Sequence, residues 1–334
     1  MLTTPAGNRY EKLFYVERED VPNSETTTIP EEYLQLILPY ADVYYESDKF
    51  CDIISQHKQL GPFSFWVQEV YAHHVMRLCP YTPYHIWALH FMYDASLKVE
   101  LYKDATFPLM ERECNLFSLE SDLHKVEMSA GQKLTSCHIN IIPKEFRELV
   151  KSHPKLERLA SLQSKGFTGA LNEHPYHINL VCQHLLAAML SCRHINKPAD
   201  VFLFRCCLDL FYNFAQQDSQ SPMELKEALH TDKLTQVFTF LVDKDYKDFT
   251  IPELAAMFGL STVELSTGFL KHFSIPLHHF LRMLKMMMVF ELLTEKATPL
   301  STIATIAGYR SWQELDLVFR IYYGCELDEL RRAM

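Results

Sequence analysis

Thr262, Ser266, Thr267 and Lys271 recur at helical spacing, and some fifty residues on so do Arg310, Ser311, Trp312, Gln313, Asp316 and Arg320. Hydroxyl, amide and guanidinium groups on successive turns of a helix can meet base edges and phosphate oxygens in a duplex groove. Arg282 and Lys285 lie between the two sets and add positive charge suited to phosphate. Two acidic groups, Glu264 and Glu314, could accept from cytosine amino groups, but each stands three residues after a serine, the spacing of a helix-capping box. Trp312 divides evenly between an exposed contact and a packing residue. Nothing in the chain forms a glycine-rich phosphate loop or a nucleophile motif, so enzyme chemistry is not expected.

These residues sit in an internal repeat. Leu254, Ala255 and Gly259 return 49 positions later as Ile303, Ala304 and Gly308; Ser261, Glu264, Leu265, Phe269 and Phe273 return 50 positions later as Ser311, Glu314, Leu315, Phe319 and Tyr323. Each copy reads as helix, tight turn, helix. Thr250 with Glu253 caps the first helix, and Pro252 is tolerated in a first turn. Gly259 ends that helix, and Ser261 with Glu264 opens the next. In the second copy Ser301 precedes the first helix, Gly308 makes the turn, and Ser311 with Glu314 opens the second helix. Small Ala255 and Ala304 let the paired helices cross closely. Between the copies, Pro276 to about Glu295 forms one helix of roughly 30 Å, close to the roughly 34 Å of a DNA turn. Met283 and Met286 to Met288 on that helix read as core filling.

Charge opposes this picture. The chain carries 32 basic and 42 acidic residues, a net charge of −10. Between Leu241 and Met334 there are ten basic and twelve acidic residues, so affinity for a polyanion must come from clustering of the few cations on one face.

The order ELAAMFGLS, FLKHFSIPLHHFLRMLKMMMVFELL, IATIAGYRS and VFRIYYG resembles the signature of AraC/XylS transcription regulators over residues 223–334. The two linked units, the connecting helix and the Gly308-Tyr309 turn carry the resemblance together. It implies a DNA-binding domain preceded by an effector-sensing or dimerising domain, commonly a cupin-like β-barrel followed by helices. It also implies double-stranded DNA, a small-molecule effector, a second copy of the chain and RNA polymerase as partners. The chain departs from the family in having lost most basic residues of the recognition and connecting helices, and in carrying Glu326 and Leu327 after Gly324 where a proline is usual.

Upstream, residues 1–45 read as a polar N-terminal extension, with an apolar helix-like run from Glu31 to Leu38. From Pro62 to Pro143 short apolar, aromatic and β-branched runs predict an antiparallel sandwich or barrel, and residues 46–145 are assigned to a β-rich, cupin-like sensing domain. Residues 146–217 read as a helical linker and dimerisation segment, with long apolar stripes at Ile178 to Cys192 and Asp200 to Ala215. The stretch QQDSQSP, Gln216 to Pro222, marks a linker, after which residues 223–334 form the DNA-binding domain. The expected fold class is thus α+β multidomain: a cupin-like β domain with a helical segment, then an all-α domain of two helix-turn-helix units joined by a long helix.

His73, His74, His85 and His90 with Glu69 raise a metal site, but no closely spaced ligand pair with a matching carboxylate accompanies them, so neither metal nor cofactor is expected. Nine scattered cysteines without a CxxC pair read as reduced thiols packed as small apolar side chains. Without a signal-peptide core or a membrane-length apolar run, a cytoplasmic location is expected.

Overall fold

The computed structural model describes residues 15–18, 25–26, 28–94, 96–101, 105–121, 124–162, 168–218, 231–243, 249–295 and 297–334. They divide into two compact units, one ending at Ile178 and one running from Asn179 to Met334.

The first unit is antiparallel β. One sheet orders its strands β1 (Tyr15–Arg18), β6 (Met76–Tyr81), β11 (Lys125–Met128), β8 (Leu97–Leu101) and β9 (Ala105–Leu109). The larger sheet runs β13 (Gly169–Ala170), β10 (Glu113–Leu119), β7 (Ile86–Asp94), β12 (Lys133–Ile141), β5 (Phe63–Ala72), β4 (Cys51–Leu60), β3 (Asp42–Ser47) and β2 (Glu25–Thr26), with β14 (Tyr176–His177) also on β10. Side chains from both sheets, among them Ile53, Val70, Leu78, Met92 and Val126, share one buried cluster. This is the expected two-sheet architecture, begun earlier in the chain than the sequence suggested.

The central strand β12 is buried on both faces. Leu134, Ser136 and His138 alternate toward the interior, whereas Cys137, Ile139 and Ile141 point the other way, as the two-residue strand period requires. On that second side Phe146 of α1 (Pro143–Ser152) meets Trp87 at 5.2 Å between ring centroids. The predicted run Glu31 to Leu38 is a 3-10 helix at Glu31–Leu36. After α1 a 3-10 turn at Pro154–Leu156 leads into α2 (Glu157–Ala160).

The second unit is all helical: α3 (Leu180–Ser191), α4 (Asn196–Asp218), α5 (Thr231–Asp243), α6 (Ile251–Met257), α7 (Thr262–Phe273), α8 (Leu277–Thr294), α9 (Leu300–Ile306), α10 (Trp312–Tyr323) and α11 (Leu327–Ala333). The unit boundary therefore falls at Ile178 and Asn179, and α3 and α4 group with the helix-turn-helix pair rather than with the β unit. The sequence placed the boundary at Gln216 to Pro222; most of that stretch, and Met223, lie outside the described residues. Contacts of α4 explain the difference: Phe202 packs on Phe290 of α8 at 5.2 Å in the interior, and at the surface Lys197 pairs with Glu329 of α11.

Within this unit the repeat folds as read. Leu265, Phe269 and Phe273 on α7, and Leu315, Phe319 and Tyr323 on α10, are buried. Phe280 of α8 meets Phe269 at 5.3 Å, and Phe290 of the same helix meets Tyr323 at 5.3 Å, so the connecting helix serves both copies. Copy one is further covered by α5, whose Phe238 lies 5.3 Å from Phe273. That approach depends on Gly268, where a Cβ would come within 3.0 Å of Leu234.

Candidate nucleic-acid interface and interior cavity

Helices α7 and α10 are each opened by a side-chain cap. In α7 the Glu264 N–H donates to Ser261 Oγ at 3.1 Å, and the Ser261 N–H donates back to the Glu264 carboxylate at 2.8 Å. In α10 the Glu314 N–H donates to Ser311 Oγ at 3.2 Å, but the Glu314 carboxylate accepts from the Arg310 N–H, at 3.0 Å. Both glutamates are thus engaged in capping, which satisfies first-turn N–H groups that lack helical partners. Upstream, Thr250 and Glu253 form the expected capping box of α6. Helix α9 differs: it opens at Leu300 behind Pro299 with no side-chain cap, so Ser301 lies inside the helix rather than before it. Gly259 and Gly308 make the turns at φ +61° and +76°.

Of the residues nominated in α7, Thr262 and Thr267 are exposed, and Ser266 and Lys271 are half-buried. In and before α10, Arg310, Ser311, Trp312, Gln313 and Arg320 are exposed. Trp312, at 39 % exposure, therefore sides with the surface. Asp316 does not. Its carboxylate accepts from the Leu327 N–H at 2.8 Å and caps the start of α11, so it is a structural acceptor rather than a groove-facing anion. On the connecting helix Arg282 is exposed. Lys285 is half-buried with Nζ 5.1 Å from the Tyr309 ring centroid, a cation–π contact that ties α8 to the second turn. Arg320 Nη1 lies 3.8 Å from Glu326, which offsets part of its charge.

The exposed faces also carry apolar groups that the sequence reading passed over. Val263 and Ile321 are each 71 % exposed and Leu317 is 50 % exposed. Apolar residues at spacing four mark the inner face, and Leu317 and Ile321 repeat that spacing on the outer one.

Inside the β unit a cavity of about 110 Å³ is lined by apolar side chains such as Met92, Phe117 and Val126, together with Gln68, His90 and His138. Trp66, His138 and His90 are register partners on β5, β12 and β7, and His138 stacks over Trp66 and His90 at 6.2 and 6.3 Å. Burial lowers His90 to about 4, and burial together with the neighbouring His90 lowers His138 to about 3. Both imidazoles are therefore neutral at ordinary pH. His90 Nδ1 is buried with no hydrogen-bond partner.

The residues considered for a metal are held apart. His73 Nε2 bonds Asp52 at 2.8 Å, His85 Nε2 bonds Ser118 at 2.9 Å, and Glu69 accepts from Thr135 Oγ1 at 2.8 Å. Among the described residues no group of three His, Cys, Asp or Glu side chains is placed to hold a metal ion. All nine cysteines are buried and unpaired with one another. No helix among the described residues is long and apolar enough to cross a membrane.

No family model matches the sequence, and no curated protein matches it significantly. Among solved structures the chain is similar to ToxT from Vibrio cholerae, at 11% identity over 82% of this chain and 99% of that one, with a TM-score of 0.33. It is also similar to the C-terminal domain of the response regulator AraT from Geobacillus stearothermophilus, at 22% identity over 31% of this chain and 87% of that one, TM-score 0.29. A DNA-binding transcriptional dual regulator from Escherichia coli K-12 is similar at 22% identity over 31% of this chain and 94% of that one, TM-score 0.28.

Proposed function

We infer that this protein is a duplex-DNA-binding transcription regulator in which two recognition helices, α7 and α10, enter successive major grooves. The observation that carries the reading is the pair of side-chain-capped helices repeated on either side of one 18-residue helix. At 1.5 Å per residue that helix spans about 27 Å, a length suited to units that address grooves roughly one DNA turn apart. Thr262, Thr267, Arg310, Trp312 and Gln313 are the side chains offered to base edges, with Arg282, Arg320 and Lys271 toward phosphate. The AraC/XylS resemblance of residues 223–334 supports the same reading and implies a second copy of the chain and RNA polymerase as further partners.

Control by the β unit follows from its cavity. The lining holds the neutral imidazoles of His90 and His138 and no carboxylate, lysine or arginine, so it suits an uncharged, mainly apolar effector with one group able to hydrogen-bond His90. An apolar cavity of about 150 Å³ can take up benzene, so the effector would be of that order of size. Binding would favour one of two arrangements of the chain, which is all that effector control requires.

A second reading has an observation of its own. Val263, Leu317 and Ile321 put apolar surface where phosphate-seeking side chains would serve DNA, which favours a protein-interaction module that kept the fold. Selection of duplexes from a random pool by the full-length protein separates the two. The regulator enriches sites with two conserved blocks about 10 to 10.5 base pairs apart, centre to centre; recovery of no enriched sequence at low salt, with or without candidate effectors, supports the interaction module.

A further inference from the structure

Between Val201 and Ala215 helix α4 is apolar but for Arg205, Asp209 and Asn213, and Gln217 continues that stripe at every fourth position. Side chains four apart lie on one face of a helix. Asp209, Asn213 and Gln217 are buried, and the Arg205 side chain is only 15% exposed. Buried polar groups are unfavourable unless each is bonded, and apolar residues of like size commonly stabilise as well or better. The stripe therefore calls for an explanation other than stability.

Its partners supply one. The last carbonyls of a helix have no partner within it, and α4 reaches that end of both recognition helices. At α7, Asn213 Nδ2 donates to Phe273 O at 2.7 Å and to Ser274 O at 3.3 Å, and Asn179 Nδ2 donates to Phe273 O at 3.1 Å. Gln217 Nε2 and Asn179 Nδ2 both donate to Asn213 Oδ1, at 3.0 and 2.9 Å, and hold that amide in its orientation. At α10, Arg205 Nη1 donates to Tyr322 O at 3.2 Å. Arg205 also pairs with Asp209, which accepts from Tyr322 Oη at 2.7 Å, and its guanidinium lies 3.9 Å from the Tyr322 ring centroid. Tyr322 directly precedes Tyr323, the repeat equivalent of Phe273, so one helix grips the last turn of both copies.

We propose that Arg205, Asp209 and Asn213 are positioning residues that lock the two recognition helices into one relative orientation, with α4 as the clamp between them. The connecting helix α8 alone is a single strut about which two units can rotate. A second strut, attached at the far ends of α7 and α10, closes the arrangement and removes that freedom. Asn179 also caps α3 by accepting from the Cys182 N–H at 3.0 Å. The role in DNA recognition rests on the proposed function; the locking itself does not.

The test measures the distance between spin labels on the two recognition helices of the full chain, at the exposed positions Thr267→Cys and Gln313→Cys. The native cysteines are buried and leave the labels selective. The parent should give one narrow distribution. Asn213→Ala with Asn179→Ser, which keeps a cap for α3 but deletes both amide donors, should broaden it. Arg205→Met with Asp209→Leu should also broaden it without leaving a lone buried charge, and Arg205→Lys should restore most of the sharpness. Should either double variant fail to fold, the other still reads the opposite end of the clamp. Unchanged distributions in the folded variants overturn the proposal. With selected duplexes, the clamp variants should lose roughly tenfold in preference for correctly spaced over respaced half-sites, the ratio one or two net hydrogen bonds support, while single half-sites bind as before. Broadened distances in a protein that binds no duplex uphold the clamp and remove the DNA reading. Duplex binding with spacing preference intact despite broadened distances overturns the positioning role.

Discussion

In the first helix-turn-helix copy the recognition helix presents Thr262, Val263, Ser266, Thr267 and Lys271; in the second the equivalent positions are Trp312, Gln313, Asp316, Leu317 and Ile321. None of these five positions keeps its chemistry, while the inward series Leu265, Phe269, Phe273 is matched by Leu315, Phe319, Tyr323. Packing fixes the inner face because a core position tolerates little change in volume, and the outer face is left to function. The two copies are therefore one scaffold carrying two surfaces: a small hydroxyl-rich one, and a larger amphipathic one with an indole and two aliphatic side chains. They also differ in their anchors, since α4 holds copy one through the neutral amide of Asn213 and copy two through the buried Arg205–Asp209 pair.

That last difference predicts the largest effect. Asp209→Ala strands the Arg205 charge and should destabilise the helical unit by about 3 to 5 kcal/mol, whereas Asn213→Ala should cost about 1 to 2 kcal/mol, the range for a buried hydrogen bond left unmade. Urea denaturation of the two variants checks this, and equal losses would erase the distinction between the anchors.

Acid should next separate the units. Burial lowers His90 in the folded β unit to about 4, below its unfolded value of about 6.5, so the unfolded chain binds the extra proton as pH falls. Stability is then full above pH 6.5 and declines toward pH 4, by roughly 3 kcal/mol for this residue. Burial also lowers His272, at the end of α7, where α10 has Tyr322, so copy one should show acid sensitivity that copy two lacks. Hydrogen exchange at pH 7 and pH 4.5 resolves this; protection lost equally from α7 and α10 would contradict it.

The smallest effects belong to the helix ends. Both recognition helices stop in the left-handed region, α10 at Gly324 with φ +79° and α7 at Ser274 with φ +54°. A residue with a Cβ there is strained by about 1 to 2 kcal/mol, so Gly324→Ala should destabilise by roughly 1 kcal/mol. Ser274→Gly should stabilise by somewhat less, because the glycine makes the unfolded chain freer. The Ser274 hydroxyl is buried with no hydrogen-bond partner, so the glycine forfeits no bond. Thermal melts that move both variants in one direction would break the equivalence of the two caps.

The repeat was legible because its signals are local: caps, turns and apolar spacing lie within one helical pair. Asp316 was misread because a helix pattern places it outward, and only the return of α11 brings the Leu327 N–H to its carboxylate. The polar stripe of α4 stands in the sequence, yet its partners Phe273 and Tyr322 lie 60 and 117 residues away, so an assignment to the upstream domain left it unexplained. Strand β4 falls in the β-rich segment 46–145 but reads as no apolar run, because CDIISQHKQL buries polar groups that find partners elsewhere: Gln56 with Leu36 O and the Leu38 N–H, and Asp52 with Tyr33 and Tyr45. Strand β12 lies in the β-rich run from Pro62 to Pro143, but its interior-facing set includes Ser136 and His138, and that polar lining gave no sign of the cavity.

The central claim is that the exposed sides of α7 and α10 meet duplex DNA despite the acidic balance of the chain, and affinity against salt tests it most directly. With Lys285 committed to Tyr309 and Asp316 to α11, about four cations face phosphate, so log K against log salt should fall with a slope of roughly −3 to −4 at about 0.9 per contact. Arg310→Ala should make that slope shallower by about 1 if its contact is to phosphate, or leave the slope and alter sequence preference by about 1 to 3 kcal/mol if it is to a base. A folded protein that binds no selected duplex at low salt, or one whose binding is indifferent to Arg282, Arg310 and Arg320 together, would contradict the account.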